Sequence, residues 1–372
     1  MNLLFFGADN TWETIQKTGF KRRNVWILKT FGESHCFQNV FAVHLTSRKN
    51  LFISIFKKKN PGKIKDVLIA NFIPIHIKNT FLRSLNFYLI RFQFYIQGAN
   101  DYNDKNNIIW TYWPSGFHIA EMFKLNGRYF FDTDHNIIDD INIEMKEKRK
   151  QKEVLLRAGK KCEKVISSSR SMLAWYANNG FDNLYRLRNG ICLDRFYNEK
   201  QNKPIRKQII GYVGTLSRWI DYNLFEKIIR KNPNCEFHIY GKNYKTQNSS
   251  VLDKYKNVYL LGEISPTDFP KIVNTFSIAL NVYKKSAWMD VDSMKIFEYL
   301  AAGIPVVTTN FHDFLKQDFE NLLYIGNSFA KIQNHIKNIL NNKTETKNPV
   351  GFLNNNTWKK QITKLITEVI NA

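Results

Sequence analysis

Four side chains that could bind or transform a substrate lie in the segment DVDSMKIFEYLAAGIPVVTTN: Asp290, Asp292, Lys295 and Glu298. The segment predicts a loop that carries the two aspartates, a helix from about Met294 to Ala302 capped by Gly303, and a buried strand that begins at Pro305. In open α/β sheets, ligands bind beside loops that leave the carboxyl ends of strands, and a helix N-terminus there favours an anion. The spacing therefore indicates an anion-binding site.

A glycine turn lies in the segment IIGYVGTLSRWIDYNLFEKI, residues 209–228. An apolar strand leads to Gly214, and a helical pattern follows. This arrangement places backbone N–H groups against a diphosphate. We therefore expect phosphate binding at this turn.

A third group of polar side chains lies in FFDTDHNIIDD, where Asp132, Asp134 and His135 end a predicted strand. Residues that line a cleft come from such strand ends. A carboxylate or an imidazole there could orient a substrate hydroxyl or contact a transferred group. A histidine that is satisfied by its local neighbours is the alternative, and the sequence leaves both open.

Short β-branched and aromatic runs alternate with longer helical patterns, which favours parallel sheets covered by helices on both faces, an α/β fold. The predicted strands are NLLFF, VWIL, VFAVHL, VLIA, IIWTY, RYFF, KVISS, QIIGYV, CEFHIY, NVYLLG, SIALNV and IPVVTT. A chain of 372 residues is long enough for two domains. The polar, Lys-rich stretch at residues 197–208 is the expected boundary between two Rossmann-like domains.

We expect an N-terminal domain over residues 1–200, a C-terminal domain over 201–350 and a final helix over 351–372. An apolar stripe at helical spacing runs along that final segment: Ile362, Leu365, Ile366, Val369 and Ile370. Because such a stripe must dock on something, we expect the helix to pack back toward the N-terminal domain.

The phrase KIFEYLAAGIPVV resembles the nucleotide-sugar signature of the family 4 glycosyltransferases (glycosyl transferases group 1), which carry an E-x7-E motif. Glu298 matches the second glutamate, which in that family holds the ribose hydroxyls. Asp290 stands in place of the first, which contacts the donor sugar, and Asp292 could share that contact. The stretch NGICLDRF, residues 189–196, resembles the phrase that closes the family's N-terminal domain.

The glycine turn departs from the family pattern. Many members have an arginine directly after the glycine and a lysine a few residues later, and both contact the donor phosphates. This chain has Thr215 after Gly214 and Ile220 at the lysine position. Arg218 and Lys295 are then the best phosphate partners, a bidentate fork and a point charge respectively. For Arg218, a solvated surface position is the alternative.

The resemblance implies a GT-B fold, two Rossmann-like domains that face each other across a cleft. It implies sugar transfer from a nucleotide-diphosphate sugar, held by the C-terminal domain, to a glycan or lipid-linked acceptor, held by the N-terminal domain. From the resemblance we expect a role in bacterial-type surface polysaccharide synthesis. We also expect transfer with retention of anomeric configuration, with no metal and no cofactor beyond the donor. Asp134, His135 and Asp290 are the expected catalytic residues. A nucleotide-sugar epimerase of the same fold is the alternative.

The chain has 55 basic and 32 acidic residues, a net charge of +23. Residues 15–100 contribute 15 basic residues against only Glu33 and Asp66. Such an excess indicates a polyanionic partner. A non-catalytic nucleic-acid-binding protein is therefore a second alternative, but no recognised nucleic-acid motif is present and we expect no nucleic acid.

The stretch IHIKNTFLRSLNFYLIRFQFYI, residues 75–96, mixes aromatic and basic residues. Apolar residues recur at helical spacing: Leu82, Leu85, Leu89, Phe92 and Ile96. The helix could lie in an anionic membrane interface or could be an ordinary core helix with solvated bases, and both interpretations stay open. A membrane surface would suit a lipid-linked acceptor.

Four well-separated cysteines show no zinc-binding spacing: Cys36, Cys162, Cys192 and Cys235. The N-terminus lacks the pattern of a signal peptide, and no apolar run is long enough for a transmembrane helix. We expect a cytoplasmic protein that can lie on the inner face of the cytoplasmic membrane.

Overall fold

A computed structural model describes residues 1–372 except 9, 48, 50, 52–61, 71–79, 139–142, 197–207, 244–248, 286–291 and 345–346. The chain divides into two units, each with its own apolar core. Unit 1 comprises Met1–Leu187 and Ile362–Ala372, and unit 2 comprises Arg188–Gln361. The predicted linker, residues 197–208, lies outside the described residues except for Gln208.

Unit 1 is built on a seven-stranded parallel sheet with strand order β3-β2-β1-β4-β5-β6-β7. The strands are β1 (Leu3–Phe6), β2 (Val40–Leu45), β3 (Ile64–Ile69), β4 (Ile108–Tyr112), β5 (Arg128–Thr133), β6 (Lys164–Ser167) and β7 (Leu184–Arg186). The central strands β1 and β4 are buried along their whole length, as a sheet covered on both faces requires. The α/β prediction is confirmed for this unit.

Helices connect the strands of unit 1. They are α1 (Trp12–Thr18), α2 (Arg23–Glu33), α3 (Thr80–Ile96), α4 (Trp113–Met122), α5 (Met145–Lys161) and α6 (Arg170–Asn178). Ser169 caps α6 by accepting a hydrogen bond from the backbone N–H of Met172, which satisfies one of the free donors at a helix start.

The predicted strand VWIL is wrong, because Val25–Leu28 lies inside α2. The first turns of α2 are buried, including Arg23 and Asn24 at its start. An apolar run that is buried on every side has no amphipathic period, so sequence spacing does not distinguish a strand from a helix there.

Helix α3 covers the edge of the sheet with two side-chain amides. Gln93 accepts from the N–H of Ala70 at 2.7 Å and donates to its carbonyl at 3.0 Å. Gln97 makes the same pair of bonds to Leu68 in β3, at 2.9 and 2.8 Å. The backbone groups of Leu68 and Ala70, which lie at the edge of the sheet, are thus satisfied by a helix, which blocks pairing with another chain at these two residues.

Unit 2 is built on a six-stranded parallel sheet with strand order β10-β9-β8-β11-β12-β13. The strands are β8 (Ile209–Val213), β9 (Glu236–Tyr240), β10 (Val258–Leu260), β11 (Ile278–Asn281), β12 (Val306–Thr309) and β13 (Tyr324–Gly326). The helices are α7 (Tyr222–Lys231), α8 (Phe269–Val273), α9 (Met294–Ala301), α10 (Leu315–Asp318), α11 (Phe329–Leu340) and α12 (Val350–Asn355), and a last helix, α13 (Trp358–Leu365), begins in this unit. Both units are therefore Rossmann-like, as predicted.

The C-terminal segment returns to unit 1. Helix α13 continues through a π-helical turn, Ile366–Ile370, and the residues from Ile362 onward belong to unit 1. All five members of the predicted apolar stripe are buried. Arg128 of β5 donates to the carbonyl of Ile370 at 2.5 Å, which places a positive charge at the helix C-terminus where the dipole favours it.

We expect Gln93→Leu to lower the free energy of unfolding by about 2 kcal/mol, because it leaves the buried N–H and C=O of Ala70 without partners. The exposed helical glutamine change Gln16→Leu is the control and should leave stability nearly unchanged. Urea unfolding of the full chain measures both. Equal midpoints for the two variants would show that the amide contributes nothing at this edge.

Candidate functional site

In unit 2 the strand order reverses between β8 and β11, the point where open α/β sheets bind ligands at their carboxyl edge. Gly214 follows β8 there with a φ of 150°, a conformation that side chains rarely adopt. A Cβ at Gly214 would lie 2.4 Å from Nζ of Lys295. Glycine therefore lets the backbone turn approach an ammonium group.

Two tyrosines hold Lys295, which lies in the first turn of α9. Its Nζ donates to the hydroxyl of Tyr283 at 2.5 Å and to that of Tyr212 at 3.2 Å. Nζ also lies 4.4 Å from the centroid of the Tyr212 ring. Burial holds the pKa of Tyr212 well above its ordinary value, so its hydroxyl stays neutral and accepts from the ammonium. The positive charge is thereby fixed beside the glycine turn.

Glu298 lies three residues after Lys295 and therefore on the same face of α9. Its Oε1 accepts from Nη1 of Arg195 at 2.8 Å, and its side chain is 16% exposed. Burial raises the pKa of Glu298 above its ordinary value, although Arg195 and Lys295 oppose this effect. Within the described part of the chain, Oε2 has no hydrogen-bond partner and can accept from a ligand.

Asp292 is buried in an ion pair with Arg188, whose Nε and Nη2 lie 3.0 and 2.9 Å from its two oxygens. The N–H of Asn189 also donates to Oδ2 at 3.1 Å. Rings of three phenylalanines lie 5.5–5.7 Å from the Arg188 guanidinium: Phe297, Phe319 and Phe352. Both oxygens of Asp292 are thus engaged in holding the segment before α9, and its contact with a donor stays a prediction.

The remaining predicted residues of unit 2 are Thr215, Arg218 and Asp290. Thr215 is exposed, and its carbonyl accepts from the Tyr212 hydroxyl at 3.1 Å. Arg218 is exposed, and its guanidinium lies 5.0 Å from the Trp219 ring, so the structure places it in the solvated position that the sequence left open. Asp290 lies outside the described residues.

A cavity of about 630 Å³ lies beside the glycine turn and was not predicted. It is lined by the segments that follow β8, β9 and β10: Leu216, Gly241, Lys242, Asn243, Gly262 and Glu263. The backbones approach closely, since a Cβ at Gly241 would lie 2.1 Å from the Gly214 carbonyl oxygen. A glycine after each of three neighbouring strands is the sequence signal that could have revealed this cavity.

In unit 1 the predicted pair Asp134 and His135 is brought together directly after β5. Oδ1 of Asp134 lies 2.9 Å from Nδ1 of His135, and Oδ2 accepts from the Tyr112 hydroxyl at 2.8 Å. Burial raises the pKa of Asp134, but the hydrogen bonds from His135 and Tyr112 outweigh it and the pKa lies below its ordinary value. An ionised Asp134 orients the imidazole and leaves Nε2 for a ligand.

The backbone beside this dyad is strained. Trp113, which follows β4 directly and is the first residue of α4, has a φ of 64°, which is rare for a bulky residue. Its ring packs edge-on against the His135 ring, with centroids 4.7 Å apart. Strained residues that are held in place by their surroundings cluster at functional sites, which supports a role for this position.

Asp132, two residues before Asp134 and within β5, has a different environment. Both its oxygens accept from Arg23 of α2, at 2.9 and 3.3 Å, and both residues are buried. Burial raises the pKa of Asp132, and Arg23 only partly offsets this. The sequence does not indicate this partner, because the run VWIL that follows Arg23 predicts a strand.

Comparisons with known proteins agree with this geometry. The sequence profile of the family described as glycosyl transferase-like matches residues 218–348. The putative teichuronic acid biosynthesis glycosyltransferase TuaH of Bacillus subtilis (strain 168) is 26% identical over 140 residues, 35% of this chain and 35% of that one. The resemblance to the glycosyl transferases group 1 is confirmed. The aligned region spans about a third of that relative's length.

Solved structures show the same fold. The sucrose-phosphate synthase of Thermosynechococcus elongatus has a TM-score of 0.67 at 13% identity, over 98% of this chain and 97% of that one. A mutant of TarM from S. aureus, in complex with Fondaparinux, alpha-GlcNAc-glycerol and UDP, has a TM-score of 0.50 at 16% identity, over 76% and 56%. The GT-B fold expected from the sequence is confirmed by these likenesses.

None of the helices in the described residues is both long and apolar enough to cross a membrane. No group of three or more His, Cys, Asp or Glu residues that could hold a metal ion is present in the same ranges.

We expect Asp292→Ala to lower the free energy of unfolding by about 3 kcal/mol, because it leaves the Arg188 guanidinium without its carboxylate. Asp313→Ala, which breaks the exposed pair with Lys285, is the matched control and should leave the urea midpoint unchanged. A stable Asp292→Ala variant with weakened donor binding would instead assign the carboxylate to the donor.

Proposed function

We propose that the protein is a glycosyltransferase that moves a sugar from a nucleotide-diphosphate sugar to a glycan or lipid-linked acceptor in bacterial surface polysaccharide synthesis. One observation carries the proposal: Lys295 and Glu298 lie on one face of α9, with the ammonium at the Gly214 turn where the strand order reverses. A fixed ammonium and a carboxylate at one sheet edge suit the two ends of a nucleoside diphosphate. The similarity to the teichuronic acid relative supports the acceptor class.

On the donor side, the Gly214 turn and Lys295 bind the diphosphate, and Tyr212 and Tyr283 hold the ammonium in place. Oε2 of Glu298 accepts from the ribose hydroxyls while Arg195 holds Oε1. The cavity lined by the segments that follow β8, β9 and β10 adjoins the Gly214 turn and binds the base of the nucleotide. The UDP in the TarM complex supports a nucleotide in a protein of this fold.

The predicted Arg218 contact is not needed in this proposal, since Lys295 already supplies a positive charge. Asp290 keeps its proposed contact with the donor sugar, as its position in the family motif suggests. Transfer proceeds with retention of configuration and needs no cofactor beyond the donor. Exclusion of water from the bound donor prevents its hydrolysis during transfer.

On the acceptor side, Nε2 of His135 contacts a hydroxyl of the reacting sugars. Its Nδ1 is bonded to Asp134, so ring orientation and tautomer are set before the substrate binds. The protein acts in the cytoplasm, and an anionic membrane surface is the proposed partner that would present a lipid-linked acceptor.

A donor screen tests the proposal. The full chain is incubated with uridine, guanosine and adenosine diphosphate sugars, with and without a membrane lipid extract, and nucleotide release is measured. We expect release that depends on the acceptor for one donor, and retention in the NMR spectrum of the product. Donor turnover without acceptor would indicate an epimerase, and salt-sensitive binding of nucleic acid without any turnover would indicate a binding protein.

We expect Glu298→Gln to raise the Kd of the nucleoside diphosphate about tenfold, as the loss of a charge-assisted hydrogen bond implies. The carboxylate is lost as pH falls through the raised pKa of Glu298, so wild-type affinity should begin to fall at a higher pH than an ordinary glutamate gives. The variant should lack this pH dependence in calorimetric titrations.

Glu226→Gln is the matched control, since its carboxylate on α7 accepts from Tyr255 outside the site. Unchanged affinity and an unchanged pH profile in Glu298→Gln, with the fold intact by thermal unfolding, would remove Glu298 from the ribose site.

We expect His135→Ala to lower kcat about a hundredfold and leave the Kd of the nucleoside diphosphate nearly unchanged. Its contacts lie in unit 1, whereas the phosphate and ribose partners lie in unit 2. His118→Ala, an exposed histidine on α4, is the control and should keep full activity. Steady-state kinetics with a fixed acceptor separate the two. Full activity of the His135 variant would refute the assignment.

A further inference from the structure

Helix α3 turns its aromatic face outward. Tyr88, Phe92 and Tyr95 are 66%, 58% and 64% exposed, and Leu85 is 40% exposed. These four residues recur at spacings of three and four, so they form one stripe along the helix, here called the α3 stripe. A soluble helix normally turns such a face to the core, and a contiguous exposed apolar patch marks an interaction site.

The orientation of α3 is set by its opposite face. Gln93 and Gln97 bond the backbone of Ala70 and Leu68, and Ile90 and Phe94 are buried beside them. Rotating the helix to bury the α3 stripe would break both amide pairs at the sheet edge. The four residues of the α3 stripe are therefore exposed and do not belong to the core.

The charge around the stripe is positive. Residues 67–100 contain no Asp or Glu, and α3 carries Arg91. The guanidinium of Arg91 lies 4.4 Å from the Phe87 ring on the flank of the stripe. The chain as a whole carries +23. Aromatic side chains beside basic ones match the interface of an anionic bilayer, where rings lie at the acyl boundary and bases at the headgroups.

We propose that the α3 stripe docks unit 1 on an anionic lipid bilayer, with Leu85, Tyr88, Phe92 and Tyr95 inserted at the headgroup boundary. A helix bound in this way lies in the plane of the membrane and does not cross it. The inference deepens the proposed membrane location of the acceptor. Vesicle binding needs neither donor nor acceptor, so its failure would leave the transferase proposal standing.

Sedimentation with vesicles tests the proposal on the full chain. Phosphatidylcholine vesicles are compared with vesicles that contain phosphatidylglycerol at about one third of the lipid, at low and high NaCl. We expect binding to the anionic vesicles that weakens with salt. The triple variant Tyr88→Ser, Phe92→Ser, Tyr95→Ser should bind at least tenfold more weakly, with unchanged thermal unfolding because these side chains are exposed.

A double variant, Met145→Ser with Val350→Ser, removes two exposed apolar side chains elsewhere and is the control that should bind like wild type. Equal binding to neutral and anionic vesicles, equal binding of the triple variant, or no sedimentation at all would each overturn the proposal. Sedimentation velocity tests the remaining outcome, which is a dimer. If the wild-type chain forms a dimer that the triple variant does not form, and neither binds vesicles, the stripe would be assigned to contact with a second copy of the chain.

Discussion

The parallel pairing of every strand is the constraint on which the two candidate sites depend. Parallel strands end at one edge of a sheet, and where their order reverses the neighbouring loops diverge and leave space for a ligand. In unit 2 that edge carries Gly214 after β8 and Lys295 at the start of α9. In unit 1 it carries His135 after β5, next to the strained Trp113 after β4. The two sites thus occupy the corresponding edge in each Rossmann-like unit.

Buried polar partners give these edges their defined geometry. Lys295 is bonded to two tyrosine hydroxyls, Asp134 to His135 and Tyr112, and Asp292 to Arg188. An unpaired polar group at these positions would cost free energy, so each hydrogen-bond partner restrains the side chain to which it is bonded. Groups held in this way before a ligand binds lose little freedom when it arrives, which is a general source of affinity and of rate.

Much of the fold could be predicted because strand and helix patterns are local. The helix from Met294 and the strand after Pro305 are present where the sequence predicts them. The helix at Arg23 was not predicted, since a run buried on every side carries no period. Arg195 and Tyr212 were missed for another reason: their partners are distant in sequence, and a single chain contains no signal of such contacts.

By itself the sequence determined the α/β alternation, the Glu298 phrase and its family resemblance, and the excess of positive charge, because these are properties of composition and short-range spacing. Tertiary structure decided which of the candidate groups are free to meet a ligand. In the folded chain both oxygens of Asp292 accept hydrogen bonds from Arg188, Arg218 is exposed to solvent, and Lys295 lies at the glycine turn. Tertiary structure also turned the glutamines of α3 inward and its aromatic residues outward, because the backbone of an edge strand requires hydrogen-bond partners that apolar side chains lack.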